Sequence, residues 1–124
     1  MSETVSLSRY LKMKKVEAGV TEDEVAARIG WSKQNLNYKL NHENVRFASM
    51  LLIAEGIGLA CKVTAPDGSE QPEGPGLIEQ ACDLKISSEQ FEQILKPLGY
   101  RLSFDWRKSG DRIYTLGKDK EGKE

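Results

Sequence analysis

The stretch TEDEVAARIGWSKQNLNYKLN, Thr21–Asn41, contains two short helices and the turn that joins them. Thr21 with Glu24 is a capping box: the hydroxyl accepts from the backbone amide three residues on, and the carboxylate reaches back to the cap. A helix with Val25, Ala26 and Ile29 inward follows, and Gly30 closes it as the residue that best tolerates a left-handed turn. Ser32 caps the next helix, in which Leu36 and Leu40 share one face at i, i+4. From Trp31 to Asn41 the chain carries Lys33, Lys39 and the amides Gln34, Asn35, Asn37 and Asn41, with no acid, although its net charge is −1. The charge is unevenly spread. Residues 1–62 hold nine Lys/Arg against seven Asp/Glu, a balance of +2, which leaves −3 for the rest.

On the N-terminal side, LSRYLKMKKVEA reads as a helix capped by Ser6 and ended by Gly19, with Lys14 interrupting the apolar stripe of Leu7, Leu11 and Ala18. On the C-terminal side, Asn44 can cap a fourth helix whose Phe47, Met50, Leu51 and Ala54 form a buried stripe. After Gly58 the period falls to 2 in LACKVT, a strand. APDGSEQPEGPG holds three of the four prolines and reads as a linker. Ser87 and Gln90 form a second capping box before EQFEQILK, a helix that Pro97 and Gly99 end. YRLSFDW, RKSGD and RIYTL then read as strand, turn and strand, a β-hairpin. Helix, glycine and alternating strand thus occur twice, around Gly58 and Gly99, and ACDLKISSEQF loosely echoes AARIGWSKQNL with Glu89 in place of Gln34.

Over residues 6 to about 58 the chain resembles the lambda-repressor and Cro-like (XRE-type) helix-turn-helix family, on Ala26, Gly30 and Leu36 at the family's spacing and on the caps and flanking helices around them. The resemblance implies a mainly α helix-turn-helix DNA-binding domain at 1–58. A strand and Pro/Gly-rich linker would follow at 59–76, a small α+β extension of helix plus β-hairpin at 77–116, and a disordered tail at 117–124. It also implies a transcriptional regulator whose second motif helix enters the major groove of double-stranded DNA. Ser32, Lys33, Gln34, Asn37 and, more peripherally, Tyr38 match the base-reading positions; lysine suits guanine O6 and N7, and Gln or Asn pairs bidentately with adenine. Thr21 and Asn41 match phosphate-contacting positions, to which charge and place add Lys39 and Arg46. Glu22 departs from the pattern. The family often has a phosphate-contacting glutamine there, and a carboxylate is repelled unless it points away. Family members commonly dimerise, and the aromatic C-terminal hairpin is a candidate homodimer interface; the alternative is a monomer in which the hairpin packs on LACKVT of the same chain as a three-stranded sheet.

Other classes fit less well. No run approaches the roughly 20 apolar residues of a membrane span, so a cytoplasmic protein without a membrane partner is expected. Cys61 and Cys82 lack a C-x-x-C or Cys/His spacing and read as buried free thiols, with no metal or other cofactor expected. His42, the single histidine, has no nucleophile near it in sequence, so an enzyme is not expected. The alternative is a phage- or antitoxin-like module that binds another protein through the helical domain or the hairpin.

Overall fold

The computed structural model describes residues 7–42 and 45–116. Ser6 and Asn44, the expected caps, and the tail 117–124 lie outside the described residues. Four helices come first: α1 (Leu7–Ala18), α2 (Glu22–Ile29), α3 (Lys33–Leu40) and α4 (Phe47–Ile57). Strand β1 (Leu59–Thr64), helices α5 (Gly74–Leu84) and α6 (Ser88–Leu95), a 3-10 turn at Lys96–Leu98 and strand β2 (Arg101–Trp106) complete the order. No described helix is long and apolar enough to cross a membrane.

Helix α4 organises the molecule because FASMLLIAEGI is apolar on nearly every side. It packs against α1, α2, α3, α5, α6 and β1. The expected stripe of Phe47, Met50, Leu51 and Ala54 is buried, and so are Ile53 and Ile57. Gly56 sets the approach of α2: a Cβ there would stand 2.6 Å from Ile29 Cγ2, so only a bare backbone fits. The Arg28 guanidinium closes the crossing by donating to the Gly56 carbonyl at 2.8 Å. The core does not divide at residue 58, since one cluster runs from Leu11 to Tyr114. Phe47 meets Phe91 edge-on at 4.8 Å, and the Phe47 amide donates to the Ile86 carbonyl at 2.7 Å.

Two parts differ from the sequence reading. Residues 74–76 of the expected linker begin α5. Pro75 sits in its first turn, where the missing N–H has no helical partner to lose, and Ile78 and Ala81 anchor it in the core. Its end resembles the end of α2. Lys85 adopts the left-handed conformation (φ 61°) and Ser87 caps α6 through a complete capping box with Gln90.

The expected hairpin within 100–115 does not form. The described sheet is an antiparallel pair of β1 and β2, with Cys61 opposite Phe104 and Val63 opposite Leu102, and RIYTL is not a strand. A carboxylate takes its backbone donors instead. Glu55 on α4, 1% exposed, accepts from the amides of Tyr114 at 2.7 Å, Thr115 at 2.9 Å and Leu116 at 2.8 Å, and from the Thr115 hydroxyl at 2.7 Å. Residues 107–116 form a strap that Arg107 starts: its amide donates to the Gly58 carbonyl at 2.8 Å and its guanidinium to the Glu55 carbonyl at 3.1 Å. Tyr114 is laid into the core, and burial pushes its phenol up to about 12. Cys61 is a buried thiol, pushed well above its ordinary value by burial first and then by the charge of Glu55; Cys82 is half-buried, and the two form no disulfide.

Candidate nucleic-acid interface

The turn between α2 and α3 is built as the sequence dictates. Thr21 Oγ1 accepts from the Glu24 amide at 3.1 Å, and Glu24 Oε1 accepts from the Thr21 amide at 2.8 Å. Gly30 is left-handed at φ 77°, and the amides of Gly30 and Trp31 both turn back to the Ala26 carbonyl. Ser32 Oγ accepts from the Asn35 amide at 3.0 Å and starts α3. Val25, Ala26, Ile29, Leu36 and Leu40 are buried, and Trp31 packs half-buried against them. The inward face of α3 is therefore fixed, and so is what it presents outward.

At about 100° per residue, Gln34, Asn37, Tyr38 and Asn41 fall within an arc of about 100° facing away from Leu36 and Leu40. Gln34 is exposed and its side chain makes no hydrogen bond among the described residues. Asn37 is half-exposed at the edge of the arc nearer Leu40. Tyr38 is 57% exposed and stacks on His42 with ring centroids 3.8 Å apart, while His42 Nδ1 lies 2.7 Å from the Tyr38 carbonyl. Lys33, at the start of α3, has Asp23 at 3.9 Å, a loose pair with both side chains more than half exposed. Ser32 is exposed but its oxygen is already engaged in the cap.

The residues expected to meet phosphate are more dispersed. Both the amide and the hydroxyl of Thr21 are used in the capping box. Lys39 falls outside the arc, on the opposite flank of α3. Arg46 precedes α4, its backbone bridged to Ser87. Asn41 caps the C-terminal end of α3: its Nδ2 donates to the Asn37 carbonyl at 2.7 Å, and its Oδ1 accepts from Lys12 Nζ on α1 at 2.6 Å. Glu22 faces Lys15 on α1, with the charged atoms 3.9 Å apart. Lys12 and Lys15 were not singled out by the sequence, because their partners stand on other helices. In α6, which repeats the placement of α3 after its turn, Glu89 and Glu92 are exposed, so that helix is acidic where α3 is not.

Among the described residues no cluster of His, Cys, Asp or Glu could hold a metal ion. Comparison of the chain with protein-family models, with curated proteins and with solved structures found no match in any of the three.

Proposed function

We propose that the chain is a sequence-specific, double-stranded-DNA-binding regulator in which α2, the Gly30 turn and α3 act as a helix-turn-helix of the lambda-repressor type. The observation that supports this reading is the outward arc of α3: Gln34 unengaged, Asn37 and Tyr38 beside it, Lys33 at its start and no carboxylate among them. An amide offers a donor and an acceptor in the plane that an adenine edge needs, and an acid-free face lets the helix approach a polyanion. Glu22, the acid nearest the start of α2, is paired with Lys15, which offsets part of its charge.

Selection of bound duplexes from a random pool by the full-length chain, followed by gel shifts at elevated salt, tests the proposal. Enrichment of one sequence is expected. Gln34→Ala or Asn37→Ala then costs about 1–3 kcal/mol on that sequence and flattens discrimination. Equal losses on the enriched and on random duplexes for Gln34→Ala would remove the base-reading role, and a pool without enrichment would remove the function.

A further inference from the structure

We infer that Lys12, on α1, is a phosphate-binding residue of the α3 interface, and that Asn41 serves to position its ammonium group. The inference rests on the DNA-binding reading above and adds to it a residue on a different helix. Asn41 stands where a phosphate contact is expected, yet its side chain is used on both sides. Nδ2 donates to the Asn37 carbonyl at 2.7 Å, and Oδ1 accepts from Lys12 Nζ at 2.6 Å. The group at that place with a full charge is therefore Lys12. An ammonium has three donors, of which Asn41 takes one, leaving two for a phosphate oxygen.

Two features separate Lys12 from the other cations of the N-terminal helices. Lys14 is bound to Glu17 at 3.1 Å and Lys15 faces Glu22 at 3.9 Å, so each has a carboxylate of its own. Among the described residues no carboxylate is within ion-pairing distance of Lys12, whose ammonium donates to the neutral amide of Asn41. Asn41 also lies on the same arc of α3 as Gln34, Asn37 and Tyr38, whereas Lys39 lies on the other flank. Lys12, like Lys14, Lys15 and Lys39, is half-buried rather than free to sweep through solvent, so less side-chain entropy is lost when it meets a phosphate. A cation held at the C-terminal end of α3 also faces the negative end of that helix, which keeps it in place without neutralising it.

The test measures binding of the full-length chain to a labelled mixed-sequence duplex of about 30 base pairs, and to the duplex enriched from a random pool, by fluorescence anisotropy between about 50 and 200 mM salt. Lys12→Ala is expected to lower affinity about five- to tenfold at the lowest salt on both duplexes, and to reduce the slope of log K against log salt by about 0.9. Lys12→Arg keeps the slope. Asn41→Asp places a carboxylate 2.6 Å from the ammonium in the position of Oδ1 and reduces the slope about as much as Lys12→Ala, whereas Asn41→Ala keeps most of it. Thermal melting of each variant shows that the fold is retained. A wild-type chain that binds, with Gln34→Ala weakening the enriched duplex and Lys12→Ala leaving the slope unchanged, overturns the inference alone. A wild-type chain that binds neither duplex at the lowest salt overturns the DNA-binding reading and this inference with it.

Discussion

A carboxylate beside a polyanion is repelled unless a nearer cation holds it, and in this chain Lys15 is that cation for Glu22. The pair is long at 3.9 Å and partly solvated, so it contributes well under about 1 kcal/mol to stability. On the DNA-binding proposal its effect on binding is larger, because Glu22 would withhold the Lys15 ammonium from phosphate while adding a negative charge of its own. Glu22→Gln is therefore expected to raise DNA affinity about two- to fivefold at low salt, with the preferred sequence unchanged and the melting temperature shifted little. A titration in which affinity falls would show that the Lys15–Glu22 pair orders the start of α2 for binding. That Gln34, Asn37 and Tyr38 share one face of α3 was readable from the sequence, because one helical period places them. The ties from Lys12 to Asn41, 29 residues apart, and from Lys15 to Glu22 were not, because both join separate helices.

The helices whose signals are local were the ones that the sequence revealed. The capping boxes Thr21/Glu24 and Ser87/Gln90 form over three residues, and both helices start where those boxes place them. Helix α5 was hidden by its own composition, since Gly74, Pro75 and Gly76 are turn formers that here occupy a first helical turn packed on Val63. Crossing of helices adds a requirement that no local pattern carries, and Gly56 is the case in point. Alanine is the better helix former by about 1 kcal/mol, so propensity alone would make Gly56→Ala stabilising. The 2.6 Å approach to Ile29 Cγ2, a branched side chain already in the core, reverses the sign. Gly56→Ala is expected to destabilise by about 1–3 kcal/mol, read as a lower urea midpoint at unchanged m-value. A midpoint at or above that of the wild type would mean that α2 can slide on α4 at no net cost.

The strap joins the end of the described chain to its centre. RIYTL has the alternation of a strand, but its amides are claimed by Glu55, about sixty residues earlier, and nothing near 107–116 in sequence announces that acceptor. The only hint is an acid in an otherwise apolar helix. Glu55 ties the two ends of the molecule energetically, because a buried carboxylate without its donors costs several kcal/mol. Phe47 against Phe91 and β1 against β2 join the same two regions. Residues 1–66 alone would carry α4 with Glu55 bare, Phe47 uncovered and β1 unpaired, and are expected to be unfolded by far-UV circular dichroism. The full chain should unfold as one unit. Trp31 reports on the first region and Trp106 on the second, so Trp106→Phe and Trp31→Phe each leave one local probe. Both probes are expected to share the urea midpoint of the circular dichroism signal. Glu55→Gln should lower both midpoints together, by the equivalent of about 1–3 kcal/mol, because its amide turns a donor toward at least one of the strap's N–H groups. Fluorescence of Trp31 that persists to higher urea than that of Trp106, or a folded 1–66 fragment, would instead make the N-terminal helices an independent unit and reduce the strap to a surface attachment.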